Sequence, residues 1–216
     1  MFVLIIDYGS GNIKSVYNSV RRTLHNLNKY SEVKVSRNLL EIEKADKIIL
    51  PGVGSFDQCM NRMRKIKDLV ETLKDQVITK NKPFLGICVG MQILADYGYE
   101  NQKTQGLSWI NGDVKPIKNF LDNSLNLKIP HMGWNSLSIN KNNILLRDIT
   151  DNDQFYFVHS YFFDIKHKKN IISNTKYGIN IPAIVNHDNI FGFQFHPEKS
   201  GRSGLKILYN WLKLSL

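Results

Sequence analysis

Cys88 is one of two cysteines in a chain of 216 residues, and its neighbours are those a nucleophile requires. It lies in Pro83-Phe84-Leu85-Gly86-Ile87-Cys88-Val89-Gly90-Met91-Gln92. An apolar strand runs into the cysteine, Gly86 and Gly90 flank it, and a helix is predicted just after. This is the layout of a nucleophile elbow, written G-x-C-x-G in place of G-x-S-x-G. A sharp turn there lifts the side chain to the C-terminal edge of a sheet. It needs small neighbours, because the backbone passes close to itself. A helix N-terminus behind the sulfur favours thiolate over thiol, and the Val89 N–H is placed to donate to an oxyanion. Cys59, in Gln58-Cys59-Met60 on a predicted helix, lacks such surroundings and reads as structural.

A cysteine nucleophile needs a base, and the base an orienting carboxylate. Among six histidines, His196 stands out in Gly192-Phe193-Gln194-Phe195-His196-Pro197-Glu198-Lys199-Ser200. A strand of alternating aromatics ends at His196, Pro197 breaks it, and Glu198 follows two residues on. In extended chain, residues i and i+2 point the same way, which brings Glu198 to the imidazole. His159, in Val158-His159-Ser160-Tyr161, is the rival base. Asp188 adjoins His187, but neighbours on a strand face opposite ways. No Cys or His pair has metal-ligand spacing, so neither a metal nor a cofactor is expected.

These groups must be held by a fold, and the first half of the chain alternates apolar runs with helical patterns. Strands are predicted at 2–6, 32–36, 47–50 and 84–88. A helix is predicted over 12–27, with Ile13, Val16, Val20, Leu24 and Leu27 on one face. One or two helices are predicted within 56–80, and another from Met91 to Tyr97. Such alternation implies a parallel sheet covered on both faces. Beyond about residue 106, strand-like pieces at 114–117, 136–139, 154–158, 171–173, 183–187 and 190–194 read as antiparallel. Turn signals stand at Asn111-Gly112 and His187-Asp188-Asn189. A helix over 203–214 closes the chain. With no repeat or linker, residues 1–216 read as a single domain.

Composition narrows the class further. The sequence is 42% hydrophobic, ordinary for a globular protein. No apolar run is long enough to cross a bilayer, and residues 1–6 read as a strand rather than a signal peptide. Two cysteines make no disulfide framework, so a cytoplasmic location is expected. The net charge of +10 comes without zinc-finger or RNP-like motifs; it reads as a solvated basic surface or else a face for an anionic substrate or partner, and no nucleic-acid or membrane partner is expected.

Cys88, His196 and Glu198 together resemble the triad of the class I glutamine amidotransferases. Pro51-Gly52-Val53-Gly54-Ser55-Phe56 is similar to that family's oxyanion loop, and 86–92 to its nucleophile motif. The stretches Asp7-Tyr8-Gly9-Ser10-Gly11-Asn12, His131-Met132-Gly133-Trp134-Asn135, 156–161 and 194–200 narrow the resemblance to the glutaminase subunits of imidazole glycerol phosphate synthase. Val89 stands where that family more often has Leu. The resemblance implies a flavodoxin-like α/β fold, mostly parallel, with helices on both faces and added antiparallel strands. It implies L-glutamine as substrate, and a heterodimer with a (β/α)8-barrel cyclase subunit that consumes the ammonia in histidine biosynthesis. Residue by residue, it implies that Gly52 and Val53 complete the oxyanion hole, and the glycines around Val53 leave that peptide free to reorient. It further implies that Gln92, His159, Ser160 and Tyr161 hold glutamine, and that Gly9, Asn12, His131 and Trp134 belong to the partner face. Two rivals remain: a paralogue supplying ammonia for surface-sugar amidation, and a catalytically silent regulatory subunit.

Overall fold

The computed structural model describes residues 1–27, 31–122, 124 and 126–214. Its first half follows the predicted alternation: Phe2–Ile6 (β1), Ile13–Leu27 (α1), Glu32–Ser36 (β2), Leu39–Lys44 (α2), Lys47–Gly52 (β3), Phe56–Lys65 (α3), Leu69–Lys74 (α4) and Phe84–Cys88 (β4). On α1, Val16, Val20 and Leu24 are buried, the one-sided spacing that packs a helix onto a sheet. Helix α4 passes into a π-helical turn over Asp75–Thr79 before β4 begins. Every residue of β3 and β4 is buried, as the centre of a doubly covered parallel sheet demands.

The second half departs from expectation at its start. A helix forms only over Val89–Gln92 (α5), and Tyr97 opens a hairpin, Tyr97–Glu100 (β5) and Gln102–Gln105 (β6). The cause is tertiary. The carbonyls of Ile93, Leu94 and Ala95 accept from the N–H groups of Leu107, Trp109, Ile110 and Ser108, so they cannot continue a helix. Gly98 then lies where a Cβ would strike the Phe56 ring.

The remaining elements are Gly112–Pro116 (β7), His131–Ser136 (β8), Ser138–Ile139 (β9), Gln154–His159 (β10), Tyr161–Ile165 (β11), Ile171–Tyr177 (β12), Ile179–His187 (β13), Ile190–Phe193 (β14) and Gly201–Leu212 (α6). The main sheet has eight strands in the order β2-β1-β3-β4-β14-β13-β12-β9. Its first five strands pair in parallel, and β13, β12 and β9 extend it antiparallel. Strands β8 and β10 form a separate antiparallel pair, and β11-β7-β5-β6 a four-stranded sheet. Asp188, with φ of 51°, turns the β13–β14 hairpin at the predicted His187-Asp188-Asn189.

Strands β8 and β11 are absent from the sequence reading, and β8 explains why. It buries His131 and exposes Met132 and Trp134, the reverse of the usual polar-out pattern.

Candidate active site

Three chain segments meet at the C-terminal edge of the parallel sheet. Gly52 of β3 lies beside Cys88 of β4, and Phe193 of β14 lies beside Ile87. One residue past the end of β14, Gln194 falls beside Cys88. The edge of an open α/β sheet beyond its strand ends is where such folds bind ligands.

Cys88 adopts φ 56°, ψ −113°, backbone that a residue with a Cβ takes only when its surroundings enforce it. The enforcement is visible in its glycines. A Cβ at Gly90 would overlap the Leu50 carbonyl, and one at Gly86 the Gly90 carbonyl. The elbow closes only because both are hydrogen. Helix α5 behind Cys88 is a single turn, so its dipole on the sulfur is weaker than a long helix would supply. Val89 is the first residue of that turn, and its N–H is one of the amides a helix start leaves without an intrahelical acceptor.

His196 sits beside this elbow. Phe195 packs on Phe193 (ring centroids 5.2 Å apart), Phe155 (4.4 Å) and Phe157 (5.7 Å), a cluster whose fully buried rings are each worth about 2–3 kcal/mol. With Phe195 turned into the core, Gln194 and His196 share the opposite side of the strand. His196 Nδ1 is 2.8 Å from Glu198 Oε1, and both side chains are almost wholly buried. The extended i, i+2 geometry is not how they meet, because Pro197–Lys199 is a 3-10 turn that carries Glu198 back onto the ring. With Nδ1 occupied, Nε2 is buried with no hydrogen-bond partner at ordinary distance among the described residues, on a ring close to the Cys88 sulfur. Burial alone would lower the His196 pKa. The facing Cys88 and the hydrogen bond to Glu198 outweigh burial and push it up to about 10.

A cavity of about 300 Å³ opens beside Cys88 and His196. Val53, Val89, Gln92, His159, Ser160 and Tyr161 all line it, as does Glu100, which the sequence reading did not single out. Glu100 Oε2 accepts from the Phe56 N–H at 2.9 Å, and burial raises its pKa.

The rival base is occupied. His159 Nδ1 is 2.8 Å from the Tyr161 carbonyl, and its Nε2 is 2.9 Å from His131 Nδ1. Burial holds both imidazoles neutral, lowering His131 to about 4 and His159 to about 3. Unfolded histidines titrate near pH 6.5, so between that value and about 4 the unfolded chain binds more protons than the folded one. The stability these two residues contribute is complete above pH 6.5 and is lost as pH falls. The thermal midpoint should therefore drop progressively from pH 6.5 to 4, and the slope should flatten in His159→Gln.

Of the residues expected on the partner face, His131 is buried, whereas Trp134 is 54% exposed and stands edge-on to Tyr156. Gly9 is exposed and Asn12 half-buried in the loop after β1. The Val53 N–H donates to Ser10 Oγ (3.3 Å) and so is not free to meet a substrate oxyanion. The Ser10 hydroxyl in turn donates to the Val53 carbonyl (2.5 Å). Cys59 Sγ lies 3.3 Å from the same hydroxyl.

Cys88, the buried His196–Glu198 pair and the cavity they line lie together at the sheet edge, and comparison with known proteins gives the class of the chain. The family described as Glutamine amidotransferase class-I matches residues 4–214. The chain is 46% identical to imidazole glycerol phosphate synthase subunit HisH of Pelagibacter ubique, over 99% of this chain and 100% of that one. It is 40% identical to the subunit of the same name from Brucella suis, over 99% of each. The chain belongs to the class I glutamine amidotransferases and, within them, to the family of imidazole glycerol phosphate synthase HisH subunits. Its fold matches a crystal structure of a glutamine amidotransferase at TM-score 0.69 with 15% identity, covering 94% of each chain. A Thermotoga maritima glutamine amidotransferase matches at 0.60 with 18% identity, covering 94% of this chain and 78% of that one.

Proposed function

We propose that this chain, acting as a single cytoplasmic domain, hydrolyses L-glutamine through Cys88, His196 and Glu198. It would deliver the ammonia to a cyclase barrel subunit making imidazole glycerol phosphate. The observation that carries the reading is the buried His196–Glu198 pair, whose free Nε2 faces the Cys88 elbow.

In the mechanism, Cys88 gives its proton to His196 Nε2 as its sulfur attacks the side-chain amide carbon of glutamine. The Val89 N–H receives the oxyanion. His196 gives its proton to the departing ammonia, leaving a thioester on Cys88. The imidazole then takes a proton from water as that water attacks the thioester, and glutamate leaves. Glu198 keeps the His196 proton on Nδ1 and offsets the ring's positive charge.

A second oxyanion donor, the Val53 N–H, joins only after its peptide turns away from Ser10. Gly54, at φ 100°, supplies backbone able to turn there. Ammonia released into water would protonate and cease to be a nucleophile, which favours a closed interface with the barrel. The exposed Met132 and Trp134, with Gly9 and Asn12, form the face we assign to that partner.

Substrate hold follows from what is left unpaired. Gln92 Nε2 donates to the Tyr161 carbonyl and to Gln194 Oε1, 3.0 Å each. An amide nitrogen has two hydrogens, so Gln92 offers glutamine only its oxygen. Among the described residues only one Glu100 oxygen, Oε2, accepts a hydrogen bond, which leaves the other to pair with the α-ammonium. Glu100→Gln should raise KM about tenfold to a hundredfold and leave kcat within about threefold, since that contact is the same in ground and transition states. Steady-state glutamate release measures it, and a fall in kcat alone would remove Glu100 from the substrate site.

The pathway is tested by glutamate release with and without the barrel subunit and its nucleotide ligand. Strong acceleration supports the histidine-pathway reading. Hydrolysis indifferent to that barrel would favour the surface-sugar paralogue.

A further inference from the structure

Gln194 is fully buried, yet its side chain is an amide, and a buried amide persists only with its partners in place. Its Oε1 accepts from Gln92 Nε2 at 3.0 Å, and its Nε2 lies 3.9 Å from Cys88 Sγ. The amide's orientation is fixed by a chain of groups whose donor and acceptor roles leave no choice.

The Tyr161 carbonyl can only accept, so His159 Nδ1, 2.8 Å away, carries a proton. His159 is neutral, so its Nε2 accepts, and the proton on that 2.9 Å contact belongs to His131 Nδ1. His131 Nε2 then accepts from Asn135 Nδ2 at 3.2 Å, while that amide also donates to the Lys176 carbonyl at 3.0 Å. Both lone pairs of the Tyr161 carbonyl are filled, one by His159 and one by Gln92 Nε2 at 3.0 Å. Gln92 is thereby locked nitrogen-first towards Gln194 Oε1, and Gln194 has only its nitrogen to present to the sulfur.

We infer that Gln194 is a positioning residue of the glutaminase site, a fixed N–H donor that favours the Cys88 thiolate, held in register by Gln92, the Tyr161 carbonyl and the His159–His131 pair. The inference rests on Cys88 being the nucleophile. A contact of 3.9 Å is weak towards a neutral thiol. It strengthens when the sulfur is charged, because hydrogen bonds to ions are shorter and stronger than neutral ones. Gln194 thus favours one protonation state of Cys88 over the other, where the one-turn helix contributes little.

The test is the pH dependence of Cys88 alkylation by iodoacetamide in the full chain, read by mass spectrometry of the Cys88 peptide so that Cys59 does not contribute. Gln194→Met keeps the length of the side chain and removes the donor; Gln194→Glu keeps the shape and places an acceptor against the sulfur. The alkylation midpoint should rise by about one pH unit in Gln194→Met and further in Gln194→Glu, with kcat/KM at neutral pH falling about tenfold in the first. A merely structural role would lower the thermal midpoint without ordering the alkylation midpoints in this way. Folded variants that alkylate with the wild-type pH profile would overturn the inference and leave the nucleophile assignment standing; should Gln194→Met not fold, Gln194→Glu alone decides it. Wild-type protein fully alkylated at Cys88 that still releases glutamate would overturn the nucleophile assignment itself.

Discussion

Cys88→Ala should remove glutamate release from glutamine almost completely, a loss on the order of 10⁴-fold to 10⁶-fold in kcat, the range seen when a nucleophile is deleted from a unit acting together. The fold should survive, because a buried cysteine gives way to a smaller residue that takes the same strained backbone. The sharper half of the prediction concerns the complex. With ammonium supplied in place of glutamine, synthase turnover in the barrel subunit should be unchanged, since the substitution touches only the source of ammonia. Loss of both activities would mean that Cys88 serves the assembly rather than the chemistry. His196→Asn should lose a comparable factor.

Gly90→Ala carries the second large effect, through structure rather than chemistry. The new Cβ meets the Leu50 carbonyl, a backbone atom held in the centre of the parallel sheet. Neither side can yield without moving β3 or the elbow. A cost of about 3 kcal/mol or more is expected, a fall of about 6–12 °C in thermal midpoint for a chain of this size. Turnover should fall with it even in the fraction that folds, because relief of the clash displaces the Val89 N–H and the Cys88 sulfur. A wild-type midpoint in Gly90→Ala would mean that the elbow is looser than its packing implies.

The parallel half of the fold was legible because its signals are local. An apolar run bounded by glycine, or a helix with Val16, Val20 and Leu24 on one face, states its own environment. The elbow at Cys88 was legible for the same reason, since flanking glycines at a strand end have few other uses. The antiparallel half was read in fragments. Strand β8 inverts the polar pattern, exposing Met132 and Trp134 over a buried His131, so hydropathy alone does not mark it. The segment from Met91 to Tyr97 has helical character, but the 107–110 loop takes its carbonyls, and that competition is invisible to a local reading.

Within the site, the residues the sequence missed were hidden by the same distinction. Glu100 reaches the cavity only because the chain leaves α5 early and turns back as β5. Gln194 did carry a usable signal, standing two residues before His196 on one strand and therefore on the same side. His196 and Glu198 meet, but through a 3-10 turn rather than along extended chain. The role of the Val53 N–H was least legible, because its direction depends on Ser10, a residue 43 positions away.

The most direct single test is to treat the chain with a glutamine-mimicking diazoketone, whose ketone carbon stands where the amide carbon of glutamine would sit and whose neighbouring carbon alkylates the sulfur with loss of N2, and to find the modified residue by peptide mass spectrometry. One adduct is expected, on Cys88, with prior glutamine slowing its formation and glutamate release lost in proportion to labelling. An adduct on Cys59 or elsewhere with Cys88 unmodified, or full labelling of Cys88 with turnover intact, would contradict it.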